Sequence, residues 1–267
     1  MKFGLQMSSL SKFLRTPQDI LETFKKVKSI GYNCVQLQWL GDDGKDVPME
    51  SVKESLDKSG LICISVMDDD YFNNIDKIIA KNTLWQGKYV CGGIGVPGTE
   101  KEISELAEKL NCVSRKLNDK DMIFEVHPMF PWYIGTDGIM PLDMLWERLD
   151  SEILLQPDFY HVVRSKINPI SLIEKYSGKI FEAHFKDFRI PDSSLDTTQS
   201  NNFNVLQQGA LPLTPVGQGI VPYKEIIEAC GKHGVQYCWA EQEAWDKDPF
   251  ECMKESFDFL IGCGLEA

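Results

Sequence analysis

Positive charge is scarce in this chain: 28 Lys+Arg stand against 40 Asp+Glu, a formal charge of −12. A phosphate backbone is bound by clustered cations that displace its counterions, so no nucleic-acid partner is expected. A small anion held by one Lys or Arg in a cleft stays open. No run of about 18 uncharged apolar residues occurs, which excludes a membrane-spanning helix and a membrane partner. Behind Met1-Lys2-Phe3-Gly4-Leu5 the polar Gln6, Ser8, Ser9, Ser11 and Lys12 interrupt any secretory leader. The eight cysteines are irregularly spaced and lack a C-x-x-C, so they read as reduced core residues of a cytoplasmic protein rather than a disulfide framework. No P-loop or dinucleotide fingerprint is present; Gly92-Gly93-Ile94-Gly95 reads as a close-packed strand end.

What the chain does have is alternation. Short apolar runs at 2–7, 34–40, 62–67, 89–95, 122–127, 153–158, 180–186 and 237–242 predict strands, and helical periodicity fills 17–30, 48–59, 71–86, 99–117, 141–150, 168–176, 222–232 and 249–262. Thr16-Pro17 supplies a cap and a first-turn proline, Gly31 a stop, and Thr99 with Glu102 a capping-box spacing. Eightfold β-α alternation over 267 residues predicts one α/β domain spanning 1–267, a (β/α)8 TIM barrel. An open doubly wound sheet has the same pattern but gathers its chemistry at one switch point, whereas the polar residues here end consecutive strands. Residues 189–221 are too long and polar for an ordinary connection. They are a candidate lid, with a disordered or subunit-contacting insertion as the alternative.

Three of the four histidines lie in acidic motifs that close predicted strands: Glu125-Val126-His127-Pro128, Asp158-Phe159-Tyr160-His161 and His184-Phe185-Lys186-Asp187. A further strand runs into Glu241-Gln242-Glu243. Glu125, Asp158, His184 and Glu241 thus form a mixed oxygen and nitrogen set suited to one divalent ion, Mn²⁺ first, with Mg²⁺, Co²⁺ or Zn²⁺ as alternatives. The bland readings are a buried salt bridge for Glu125 and a helix N-cap for Asp158. By strand alternation His127 shares the face of Glu125. His161 and Lys186 are placed as neighbours that hold substrate oxygens, the alternative for Lys186 being a salt bridge to Glu182 or Asp187. Trp132 is a candidate platform for a sugar face and Gln6 a further substrate contact. His233 reads as a solvated helix end.

As an ordered set, Glu-x-His-Pro, Asp-x-x-His, His-x-Lys-Asp, Val216-Gly217-Gln218-Gly219 and Glu241 resemble the xylose isomerase-like barrel family of sugar phosphate isomerases and epimerases, whose fold is shared by metal-dependent AP endonucleases. The resemblance covers nearly the whole chain, from Phe3-Gly4-Leu5-Gln6 to the closing helix with Ser256-Phe257-Asp258-Phe259-Leu260. It implies the same four metal ligands and, since related barrels often pair, a possible homo-oligomer. Many relatives carry a glutamate where this chain has Gln36 or Gln38, and a His-Asn-His run where it reads Glu125-Val126-His127.

The expected activity is isomerisation or epimerisation of a sugar or sugar phosphate through an enediolate, with a divalent ion as Lewis acid. Glu125 and Glu241 would move the proton on opposite faces. A keto-sugar or keto-glycoside lyase or dehydratase uses the same enediolate to expel a leaving group. An AP-endonuclease-like hydrolase needs a basic groove and more histidines than this chain has. A barrel that only binds a sugar is the non-catalytic alternative.

Overall fold

The computed structural model describes residues 1–42, 45–95, 98–135, 138–190 and 211–267. Eight parallel strands form one sheet: β1 (Lys2–Gln6), β2 (Cys34–Leu37), β3 (Ile62–Met67), β4 (Tyr89–Ile94), β5 (Ile123–Pro128), β6 (Leu154–Leu155), β7 (Glu182–Phe185) and β8 (Tyr237–Ala240). Neighbours pair in sequence from β1 to β6, and β8 lies between β1 and β7. The remaining seam, between β6 and β7, is closed by the bridges Leu155↔Ile180 and Asp158↔His184. The sheet is therefore a nearly closed barrel.

Helices α1 (Pro17–Ile30), α2 (Met49–Ser59), α3 (Ile75–Trp85), α4 (Glu100–Asn118), α5 (Pro141–Trp146), α6 (Phe159–Arg164), α7 (Pro169–Lys175), α8 (Tyr223–Lys232) and α9 (Pro249–Gly262) run between and after the strands. In α1 the apolar Ile20, Phe24 and Val27 recur at helical spacing and are all buried. Its start is the expected box: Thr16 Oγ1 accepts from Asp19 N at 3.2 Å, and Asp19 Oδ2 accepts from Thr16 N at 3.1 Å. Thr99 and Glu102 repeat that device at α4. Gly4 is required by close approach, because a Cβ there would lie 2.4 Å from the Trp239 ring.

Three elements depart from the expectation. A 3-10 turn follows β1 over Met7–Phe13. The α6 helix begins directly after Asp158, whose Oδ1 caps it by accepting Tyr160 N at 2.8 Å. Within 189–221, residues 191–210 lie outside the described residues, so the lid expectation goes unexamined there. The returning segment is ordered structure, with Leu213–Thr214 pairing antiparallel to Asp187–Phe188. Asp187 fastens that return, its carboxylate accepting the backbone N–H groups of Phe188, Gly217, Gly219 and Val221 at 2.8–3.1 Å. A Cβ on Gly219 would meet Asp187 Oδ1 at 2.1 Å, so the Val216-Gly217-Gln218-Gly219 motif is a cradle for this carboxylate. Among the described residues no helix is long and apolar enough to cross a membrane.

Candidate metal centre

At the C-terminal ends of β6, β7 and β8 the barrel gathers Asp158, His184 and Glu241, each offering a ligand atom within 4.8 Å of the others. A second group, Asp158, His127 and His161, meets the same distance and shares Asp158. The rings of His127 and His184 are 4.5 Å apart. Four of the expected site residues thus surround the Asp158 carboxylate, and Lys186 joins them. Its Nζ lies 2.8 Å from Glu243 Oε1, 3.1 Å from Glu241 Oε2 and 3.4 Å from Asp158 Oδ2. The expected alternatives for Lys186, Glu182 and Asp187, are not its partners.

Glu125 is a correction. It was expected as a metal ligand and as one of two proton-moving glutamates, and it is absent from both ligand groups. Register is the reason: Glu125 pairs with Cys91 and Leu154, whereas Asp158, further along the same strand end as Leu154, bridges to His184. Alternation put Glu125 on the inner face correctly, but one layer too deep; His127 stands a step nearer the mouth. Down there Gln156 Nε2 donates to both Glu125 and Glu182 at 2.7 Å, and Trp239 Nε1 donates to Glu182 at 3.0 Å. Burial, reinforced by the charge of Glu182, raises the Glu125 carboxyl well above the ordinary carboxylate range.

Trp132 is also corrected. It is fully buried, and its indole N–H donates to the Ile94 carbonyl at 2.9 Å, so it anchors the turn after β5 and offers no open face to a sugar. His233 caps α8, with Nδ1 2.9 Å from Ser177 Oγ, in keeping with a helix-end role.

Gln6 does not need to touch substrate to matter. Its Oε1 accepts the backbone N–H of Ser8 at 3.0 Å, which fixes the amide orientation, so Nε2 donates to Gln36 Oε1 at 2.8 Å. Gln36 turns its Nε2 to Ser65 Oγ and Gln156 Oε1. Its Oε1 therefore faces His184 Nε2 at 2.7 Å as an acceptor, and that ring nitrogen carries the proton. Burial lowers the His184 pKa to about 3, so the imidazole is neutral and Nδ1 presents a lone pair. That lone pair points at Glu241 Oε2, 2.7 Å away. Burial raises the Glu241 carboxyl, but Lys186, His127 and Glu243 together outweigh it and hold the pKa below its usual value, which favours the ionised oxygen.

Two electron pairs thus face each other, and beside them Asp158 Oδ2 is buried without a hydrogen bond. Burial raises the Asp158 carboxyl against the pull of Lys186. Convergent lone pairs from one imidazole and two carboxylates, with an orphaned buried oxygen among them, fit a divalent cation. His127 adds a further donor: its Nδ1 lies 3.0 Å from the Gln156 carbonyl and so carries the proton, leaving Nε2 open, and burial lowers its pKa to about 3.

Of the residues Ser8, Gln6, Gln36, Gln156 and Glu243 the sequence assigns Gln6 alone, as a substrate contact; the others are given no role there. Gln156 could have been found, standing two positions before Asp158 and hence on its face of the strand. Glu243 follows Glu241 at the same spacing. Two substitutions test the arrangement by Mn²⁺ titration. Gln36→Met frees the tautomer of His184 and is expected to weaken Mn²⁺ binding about 10–100-fold. Glu125→Gln puts an isosteric amide at a position in neither ligand group, and should change the affinity less than about threefold.

No family model matches the chain. Among curated proteins, the inosose dehydratase of Clostridium beijerinckii is 29% identical over 185 residues, covering 66% of this chain and 57% of that protein. The inosose dehydratase of Bacillus thuringiensis is 26% identical over 192 residues, covering 66% of this chain and 61% of that protein. In both cases the match spans less than two thirds of the relative's length. Among solved structures, a sugar phosphate isomerase/epimerase from Parabacteroides distasonis superposes with a TM-score of 0.76 at 18% identity, covering 98% of each chain. A xylose isomerase-like TIM barrel protein from Mycobacterium smegmatis, solved in complex with magnesium, gives 0.67 at 15% identity over 98% of this chain and 96% of that one. The 3-keto-D-glucoside 4-epimerase of E. coli gives 0.64 at 15%, over 98% and 100%. The fold is that of the xylose isomerase-like TIM barrels.

Proposed function

We propose that the protein is a divalent-metal-dependent lyase that removes the proton beside the carbonyl of a keto-sugar and expels the oxygen substituent on the following carbon. The observation that carries this reading is a base and an acid in contact: the ionised Glu241 carboxylate and the Lys186 ammonium, 3.1 Å apart beside Asp158 and His184. Burial would strip the lysine of its proton, but Glu241, Glu243 and Asp158 outweigh burial and raise its pKa well above the usual value. Bound between Asp158, His184 and Glu241, with His127 in reach, a divalent ion would supply Lewis-acid stabilisation of the enolate; Mn²⁺ is the first candidate for this mixed donor set.

The chain's own groups account for every proton. Glu241 takes the proton from the carbon next to the carbonyl, and the electron pair of that C–H bond passes into an enolate. As the carbonyl re-forms, the pair moves to make the new C=C bond, and the C–O bond on the following carbon breaks. The departing oxygen leaves with its pair and takes a proton from Lys186. Protonated Glu241 then returns its proton to the Lys186 amine across their contact, restoring both groups. His161, whose Nε2 lies 3.7 Å from Asp158 Oδ2, and His127 are placed to orient substrate hydroxyls.

Epimerisation needs a protonated group on the opposite face to return the proton. Glu125, expected in that role, lies one layer below, and burial has driven the pKa of both His127 and His161 far down, so neither is an imidazolium with a proton to spare. The dehydratase names of the curated relatives support elimination; the epimerase among the similar structures supports the alternative, in which the proton returns on the opposite face. Incubating the Mn²⁺-loaded protein in deuterated water with inosose and with 3-keto-glucosides separates the two by product mass. Loss of water or of the aglycone is expected; an isomer one mass unit heavier, carrying one carbon-bound deuterium, would replace elimination with epimerisation.

A further inference from the structure

A cavity of about 290 Å³ opens at the C-terminal ends of β2 and β3, outside the ligand cluster. Its walls include Gln38, Trp39, Met67, Asp68, Lys81 and Trp85. Two of these walls touch the relay that sets His184: Gln6 Nε2 donates to Gln38 Oε1 at 3.1 Å and lies 3.7 Å from Met67 Sδ. The cavity therefore adjoins the barrel mouth rather than standing apart from it.

Trp39 is the unusual member. It is 55% exposed although it is the largest side chain type, and its backbone sits at φ +53, a region that side chains with a Cβ rarely occupy. The indole therefore presents an open face at the cavity wall, and backbone outliers of this kind concentrate at ligand sites. Trp85, by contrast, is buried, its N–H donating to the Met49 carbonyl at 2.9 Å, and forms a fixed wall. The polar edge is a half-buried ion pair, Asp68 Oδ2 with Lys81 Nζ at 3.1 Å, offering an acceptor and a donor side by side. Apolar faces with a polar edge match a flat ring bearing hydroxyl groups.

We propose that this cavity binds the leaving group of the substrate, a hydroxylated ring joined to the reacting keto-sugar, so that the substrate is a keto-glycoside rather than a free keto-sugar. This rests on the lyase reading of the metal centre. The bond broken is the glycosidic C–O, and the ring departs as an alcohol or phenol with the proton from Lys186; no oxidant or co-reactant is consumed. A second sugar and a phenol share this chemistry, and the choice of substrate distinguishes them.

The test measures KM and kcat of the Mn²⁺-loaded protein for proton exchange and elimination on 3-keto-glucose, 3-keto-cellobiose and phenyl 3-keto-β-glucoside. At least one ring-bearing compound should show a KM about tenfold or more below that of 3-keto-glucose, and its identity names the ring as sugar or phenol. Trp39→Ala should erase that advantage and leave 3-keto-glucose within about twofold, since the side chain is exposed and lies outside both ligand groups. Equal KM values for all three compounds, or an advantage that survives Trp39→Ala, overturn the inference while leaving the lyase reading in place. Exchange on none of the three overturns the inference, and exchange on none of them nor on inosose overturns the lyase reading as well.

Discussion

Lys186→Met is expected to lower the melting temperature of the metal-free protein by about 10 °C and to separate the two halves of the reaction. Removing one partner of a buried charge cluster leaves the others uncompensated, at about 3–5 kcal/mol, and each kcal/mol moves the transition of a chain this size by roughly 2–4 °C. Here the uncompensated groups are Glu241, Glu243 and Asp158, all gathered round one ammonium. A divalent ion replaces part of the missing charge, so Mn²⁺ should stabilise the variant by more than it stabilises the parent; thermal melts with and without Mn²⁺ read this directly. Proton exchange into the keto-sugar persists because Glu241 is intact, whereas elimination falls about 100-fold or more for want of its acid. Equal loss of exchange and elimination would assign Lys186 to substrate binding instead.

Glu241→Gln has the larger kinetic effect and acts on both steps. The base is gone, so exchange and elimination fall together by about 10³-fold at saturating Mn²⁺. Saturation matters because Glu241 also offers a ligand atom to the ion, and the affinity must be measured separately. Retention of exchange in this variant would move the base to His127 or His161. The contact from Ser8 Oγ to Glu241 Oε1, at 3.1 Å, can be kept by the amide oxygen, so the variant is expected to fold.

The layout of the barrel was legible because both periodicities are written into the chain. Ile20, Phe24 and Val27 recur at helical spacing, and the two threonine capping boxes fall where α1 and α4 begin. The shortness of β6 was not legible. Pro157 has no N–H to add to a ladder, and Asp158 turns immediately to cap α6, so an apparent strand over 153–158 pairs as Leu154–Leu155 with single bridges beyond it. Asp158 shows that the two readings weighed for it are compatible: Oδ1 caps a helix while Oδ2 faces the ligand cluster.

The site was legible in face and misread in depth. Strand alternation says that Glu125 and His127 point inward together, but which of them reaches the level of Asp158 depends on the stagger of strands around the barrel. No local pattern contains that stagger. Likewise the sequence marks Trp132 as an aromatic beside a strand end, and the 3-10 turn over Phe130–Tyr133 that folds it into the core follows from packing against β4. The glutamine relay was hidden for a different reason. Gln6, Gln36 and Gln156 are far apart in sequence and meet only because β1, β2 and β6 face one interior.

The most direct test is a crystal soaked in Mn²⁺, with anomalous difference density recorded at the manganese edge. A single ion is predicted within roughly 2.0–2.3 Å of Asp158 Oδ2, His184 Nδ1 and a carboxylate oxygen of Glu241, with Glu125 still hydrogen-bonded to Gln156 below it. Density coordinated by Glu125, or none among these three residues at saturating Mn²⁺, would contradict the account.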